Sequence, residues 1–312
     1  MVAAQYKVPF IITGASTPLV TRRTDIDTSY MFHHCPTTDD YPEATMLFLD
    51  QVVRPAINKK FNYPEDRKLK LAILYQDSKY GEGVLEGTEK AIEKHGLKIE
   101  IVAKEKFKMG ETDFRTVLTA IKAKDPDVVY PAAFLNEQAP IVIQGRRDVG
   151  LNVIYLSVEC NDDPDYYKAV QKWGEYSIME SRFSPYTVPK GDIAENIKKF
   201  KEAFRKKYNA EPSMMGSSTY EGIYIAAKAI ENAGSLDKAK IRDALENLEM
   251  PQIIEAMKGG VIKFSKDYHE SKFELYMQQL FWNESIGEVR PKIVYPENLK
   301  ETDFVLPEWY KQ

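Results

Sequence analysis

Cysteine is scarce: the 312 residues contain two, Cys35 and Cys160. Two thiols so far apart make no disulfide framework, and no nearby Cys/His pair completes a zinc pattern. Both are expected to be free, partly buried thiols. Histidine is nearly as rare, with four: His33, His34, His95 and His269. His33 and His34 are adjacent, and neighbours on a strand point to opposite faces, so the pair is not expected to share an ion. No run of eighteen apolar residues occurs, so nothing reads as a membrane-spanning helix. The nucleotide fingerprints GxGxxG and GxxxxGK[ST] are missing. The nearest approach, Gly81-Glu82-Gly83 followed by Gly87, is one residue too long and puts Glu where a pyrophosphate would lie. Those glycines read instead as small residues opening a helix. GxSxG is absent too, which removes a hydrolase elbow. No metal, cofactor or catalysis is therefore expected. The opening residues lack the basic start, long apolar core and cleavage site of an export signal. A formal net charge of -4 gives no reason to expect a nucleic acid as partner.

What is present is a globular composition, 43% hydrophobic and 29% charged, in a chain long enough for two domains. Short apolar runs alternate with segments of helical spacing. Strands are expected at 8–13, 28–33, 69–76, 98–104, 127–133, 152–157 and 176–181. Helices are expected near 39–58, 80–96, from 113, at 137–150 and near 163–173. Gly96 stands where a helix-ending glycine belongs, and Asp113 and Ser235 are expected as N-caps. Regular alternation predicts an α/β fold, a parallel sheet with helices on both faces. After residue 185 the pattern turns helical (192–208, 215–233, 237–247), then returns to strand at 273–282. The Pro-rich tail, 291–312, reads as an irregular strap.

Several strand ends carry suggestive side chains, and open α/β sheets bind ligands at such ends. After the first strand, Gly14 and Ala15 let a ligand approach the backbone, and free N–H groups with the Ser16 and Thr17 hydroxyls suit a carboxylate. Tyr80, Phe134 and Glu159 follow the strands at 69–76, 127–133 and 152–157. Together they offer anion donors, aromatic walls and one carboxylate, a set complementary to a zwitterionic amino acid. Each taken singly also fits ordinary loop chemistry: caps, half-buried rings and a solvated charge.

In order, these segments resemble the leucine/isoleucine/valine-binding family of type I periplasmic binding proteins. VPFIITGASTPLVT (8–21) resembles the strand and loop that hold a ligand's carboxylate. LAILYQDSKYGEGVLEG (71–87) resembles the first strand and helix of the second lobe, with its Tyr-Gly-x-Gly turn. TDFRTVLTAIKAKDPDVVYPAAF (112–134) resembles the helix and strand that follow, and STYEGIYIAAKAIENAGS (218–235) a helix of the first lobe. The resemblance implies that Gly14 and Ser16, with Ala15 between them, receive the carboxylate. It implies that Tyr80 lies over the ligand, that Phe134 flanks its side-chain pocket, and that Glu159 receives the α-ammonium. Phe134 stands where the family has tyrosine, and Cys160 is atypical. The family's opening strand, of the type IKIGV, is not in the chain.

The resemblance implies two doubly wound parallel-sheet lobes joined by a hinge, the first lobe incomplete and exposing the apolar edge of strand 8–13. Residues 1–33 and 183–262 would form that lobe, 34–182 and 263–290 the second, and 291–312 the strap. The chain would cross near 32–34, 181–183 and 261–265. The function implied is solute binding for an ABC-type importer. Its ligand would be an amino acid, branched-chain or otherwise aliphatic, its partner an ABC permease in the membrane, and its location periplasmic or extracellular at the membrane. Two other classes fit the fold: a cytosolic sensor responding to an amide or amino acid, and an enzyme on a flavodoxin-like sheet. The enzyme would need a nucleophile–base pair that the sequence does not show.

Overall fold

The structure is a computed structural model that describes residues 2–257 and 259–312. Its strands are β1 (Phe10–Ile12), β2 (Met31–His33), β3 (Leu69–Gln76), β4 (Ile99–Phe107), β5 (Val128–Ala132) and β6 (Ile154–Ser157). They continue with β7 (Ile178–Ser181), β8 (Met250–Pro251), β9 (Val261–Ile262), β10 (Tyr276–Asn283) and β11 (Glu288–Tyr295). The chain divides into two compact units. Unit 1 comprises Met1–Thr37 and Val188–Glu274, and unit 2 comprises Thr38–Thr187 and Leu275–Gln312.

Unit 2 is built on one seven-stranded sheet in the order β11-β10-β7-β6-β5-β3-β4. β3 to β7 run parallel, while β10 is antiparallel to both β7 and β11. Leu71, Ala72, Ile73 and Leu74 of β3, Val128 and Val129 of β5, and Ile154 of β6 are fully buried. That is why these strands read as unbroken apolar runs: helices cover both faces of the sheet. The helix after β3, Lys79–His95, begins with the Ser78 side chain accepting from the Gly81 N–H at 3.2 Å. It ends at Gly96 in the left-handed region (φ 58°), which a residue without Cβ enters at no cost. Gly81, Gly83 and Gly87 are packing residues. A Cβ on Gly81 would lie 2.0 Å from the Gln76 carbonyl oxygen, and those on Gly83 and Gly87 would meet Thr38.

Unit 1 holds the parallel pair β1–β2, the antiparallel pair β8–β9 and the helices Ala194–Tyr208, Met214–Ala233 and Lys238–Glu246. Phe32 of β2 sits in a core with Ile225, Ala229, Leu245, Leu248, Ile262 and Phe264, while Ile12 and Met31 cluster with Ala4. Val8 and Phe10 are exposed.

The expected elements are present, with shifts. The strand expected at 8–13 is confined to Phe10–Ile12, and that at 28–33 to Met31–His33. The cap of Arg115–Lys122 is Phe114, and Asp113 instead takes the Arg115 N–H on its carboxylate. Lys238–Glu246 is capped by Asp237, whose carboxylate accepts from the Ala239 and Lys240 N–H groups, in place of Ser235. The tail is not a strap from 291: it first completes β11, and only then crosses unit 2 irregularly. There Tyr310 donates to the Asp127 carbonyl at 3.0 Å and the Arg146 guanidinium lies 4.8 Å over the Trp309 ring. The units meet in sequence at 37/38, 187/188 and 274/275. Residues 263–274 group with unit 1 because His33 bridges to Glu270, and the Ser271 N–H donates to the His33 carbonyl at 3.0 Å.

Candidate functional site

In unit 2, four parallel strands deliver polar and aromatic groups at their C-terminal ends. Tyr80 opens the helix after β3 and Phe134 follows β5. Their rings stack with centroids 4.9 Å apart and planes 19° from parallel. Phe134 remains 40% exposed, so the stack has an open side. The Tyr80 hydroxyl lies deep, where burial, with Tyr41, Cys160, Tyr130 and Glu180 around it, pushes its pKa well above the ordinary value. It stays a neutral phenol, available as a donor.

After β6 the chain makes one tight turn, Glu159–Asn161, which turns the Glu159 side chain inward to 5% exposure. Its carboxylate pairs with the guanidinium of Arg182, which directly follows β7 and has no exposed surface. Glu180, inside β7, accepts from the Glu159 N–H at 3.2 Å. Burial holds the Glu180 carboxyl well above the usual range, and the nearby Glu159 charge adds to that. The same two acids and the same burial push the Cys160 thiol up, so it is an unreactive neighbour of the site and not a nucleophile. One turn further on, Asp162 accepts from Tyr167 Oη (2.6 Å), Ser181 Oγ (2.7 Å), Ser184 Oγ (3.0 Å) and Gln278 Nε2 (2.6 Å). Burial still outweighs these bonds and raises its carboxyl to about 6. This network fixes the end of β7 that carries Arg182.

Of the residues expected from sequence, Tyr80 and Phe134 are in direct contact, and Glu159 follows β6, the strand next to β5. Gly14, Ala15 and Ser16 lie in unit 1, on the turn between β1 and the short helical turn Pro18–Val20. Gly14 and Ala15 are exposed and Ser16 is half-buried. A Cβ on Gly14 would fall on the Met215 methyl at 2.1 Å, so the backbone there is open to close approach from one side only. Sequence reasoning missed Arg182, Glu180 and Asp162. A signal existed, since a Glu and an Arg beside the strand IMES are costly to bury without partners. Cys35 is buried and Cys160 half-buried, and the two are not bridged. Among the described residues, His34 with Glu221 and Glu255 forms one group spaced to hold a metal ion, and His33 is not part of it. No described helix is long and apolar enough to cross a membrane.

These groups stand at the carboxyl ends of a doubly wound sheet, where open α/β sheets bind ligands. The sequence pattern of the periplasmic binding protein family matches residues 1–284, and the chain belongs to that family. Leu/Ile/Val-binding protein homolog 8 of Brucella melitensis is 24% identical over 302 residues, covering 93% of this chain and 68% of that protein. The leucine binding protein LivK of Thermotoga maritima superposes with a TM-score of 0.73 at 20% identity, over 96% of this chain and 76% of that one. The branched-chain amino acid transporter substrate binding protein LivJ of Streptococcus pneumoniae, solved with isoleucine, gives a TM-score of 0.70 at 24% identity, over 94% and 74%. The chain thus has the type I periplasmic-binding-protein fold, and it is similar to proteins of the Leu/Ile/Val-binding kind. Its relatives are solute-binding proteins and not enzymes.

Proposed function

We propose that this chain is the solute-binding component of an ABC-type importer, presenting an amino acid, aliphatic in side chain, to a membrane permease from the periplasmic or extracellular side. The observation that carries the reading is the stacked pair of Tyr80 and Phe134 at the ends of two parallel strands, with Glu159 at the end of a third, in a protein of this family. The stacked rings offer an apolar wall. Glu159 is the acceptor for the α-ammonium, and it shares its carboxylate with Arg182, so the ligand's cation enters a site already neutralised as a pair. Gly14, Ala15 and Ser16 supply the carboxylate donors. The isoleucine complex of the LivJ neighbour supports an aliphatic ligand. Nothing in the family match favours a cytosolic sensor.

The test is a thermal-shift screen of the chain against the twenty amino acids. A ligand at a hundred times its Kd stabilises by about 2.7 kcal/mol, which moves a melting curve visibly. Leucine, isoleucine or valine should give the largest shift. A flat response to all twenty would remove the amino-acid assignment.

A further inference from the structure

We propose that unit 2 carries a second small-molecule site, at the N-terminal ends of β6 and β7, for an aromatic ring bearing one carboxylate. The place is a cavity of about 270 Å³ lined by Arg146, Asn152, Lys172, Trp173, Glu175 and Trp309. Arg146 belongs to the helical turn Gln144–Val149, and Asn152 precedes β6. Lys172 and Trp173 belong to the turn Gln171–Gly174, Glu175 leads on into β7, and Trp309 comes from the tail after β11. Asn152 and Glu159 stand at opposite ends of β6, so the cavity is at the far end of the parallel strands from Tyr80, Phe134 and Glu159. None of its lining residues belongs to the amino-acid site.

Charge sets the sign of the ligand. Arg146 is 7% exposed, and its guanidinium donates to backbone carbonyls alone. Nη1 donates to the carbonyls of Trp173 and, at 2.6 Å, Glu175, and Nη2 to that of Val153 at 3.4 Å. Those carbonyls take up hydrogens without supplying a negative charge, and a buried cation without a counter-charge is costly. Among the described residues no carboxylate pairs with Arg146 or with Lys172. The Arg146 Nε–H has no acceptor, and Nη2 makes that one long bond. The Nε–Nη2 edge therefore has donors to spare, and a guanidinium edge is what a carboxylate takes as a fork. Burial lowers the guanidinium to about 10, which Tyr155, Tyr166 and Glu175 offset only in part. Glu175 is the one acid among the six lining residues, and its Oε1 accepts from the Trp282 N–H at 3.4 Å. Two cations stand against it, so the cavity is positive on balance.

Size and lining set the rest. The Arg146 guanidinium lies 4.8 Å over the Trp309 ring and 5.3 Å over that of Tyr155, and Lys172 Nζ lies 5.5 Å over the Trp173 ring. Each indole thus holds a cation at the cavity, which puts aromatic surface and positive charge side by side. Trp173 and Trp309 are half-buried and Lys172 is exposed, so the place is open to solvent. An apolar cavity of about 150 Å³ takes benzene, and pockets for drug-sized molecules begin at about 300 Å³. The volume here suits one ring with a short acid.

Phenylacetate is the probe, titrated into the full chain, with phenylacetamide as its uncharged counterpart. Two of the three tryptophans line the cavity, so indole fluorescence reads its occupancy. Phenylacetate should change that fluorescence saturably, and phenylacetamide should bind about tenfold more weakly. Arg146→Lys should weaken phenylacetate about tenfold, because an ammonium cannot make the fork. Lys172→Ala, which removes an exposed charge, should weaken it about threefold. Phe134→Ala, at the other end of the strands, should leave it unchanged. The proposal is overturned if phenylacetate gives no saturable change, or if the amide binds as tightly as the acid. It is equally overturned if Arg146→Lys and Lys172→Ala both bind as the parent does, or if binding vanishes in Phe134→Ala. Should Arg146→Lys fail to fold, Lys172→Ala decides: a loss of affinity supports the site, and an unchanged affinity overturns it. Amino-acid binding is read separately by the thermal-shift screen, and its outcome does not bear on this cavity.

Discussion

Glu159 and Arg182 illustrate how one residue serves both binding and stability. A guanidinium with no exposed surface needs a counter-charge, because removing one partner of a buried pair strands the other. Glu159→Ala should therefore lower the unfolding free energy of the ligand-free chain by about 3–5 kcal/mol in urea denaturation. Its amino-acid affinity should fall by about 2–5 kcal/mol in calorimetry. A stability loss under about 1 kcal/mol would mean that Arg182 draws its neutralisation from elsewhere. The positions of Tyr80, Phe134 and Glu159 at strand ends were legible in the sequence because each stands within a few residues of an apolar run. Arg182, Glu180 and Asp162 were not, because what defines them is a partner distant in sequence. Gln278 and Tyr167 meet at Asp162 only after β10 has paired with β7.

Elements were legible to the extent that one local force governs them. The unit 2 strands follow from apolar content alone, and Leu69–Gln76 has the bounds expected of it. Caps were misplaced by a residue or two because Asp, Ser and their neighbours compete for the same N–H groups. The strand β11 was hidden by its proline. Pro291 sits opposite Leu280 on the edge of the sheet, the one place where a residue lacking an N–H costs no ladder bond. The glycines of the helix Lys79–His95 show the opposite case, a local pattern whose meaning is tertiary. Gly81→Ala would drive a Cβ into the Gln76 backbone, with the carbonyl oxygen at 2.0 Å and the amide nitrogen at 2.9 Å. Backbone cannot rotate away, so a loss of about 1–3 kcal/mol is expected in thermal or urea unfolding. Gly83→Ala meets the Thr38 side chain at 2.7 Å, which can turn, and should cost less. Equal losses for the two would refute this account of the turn.

At the scale of the molecule, the two units are stabilised unequally. In unit 2, β5, β6 and β7 are buried throughout and β3 at all but two positions, and β3 is bonded on both sides, to β4 and to β5. Among the described residues of unit 1, β1 is paired with β2 alone over three positions, and its burial runs from exposed at Phe10 to buried at Ile12. Backbone amides in a short, half-covered pair open by local fluctuation, whereas those of a central strand open only when the whole sheet does. Hydrogen exchange should therefore separate them. Amides of 69–76 and 127–133 are expected to exchange orders of magnitude more slowly than those of 10–12, with Phe10 N–H, bonded to Tyr30 O at 2.9 Å, still among the faster. The comparison is internal to one sample, so pH, temperature and intrinsic rates are shared or correctable. If 10–12 prove as protected as β3 in the monomeric chain, then β1 is held by more than β2, and the inequality between the units is wrong.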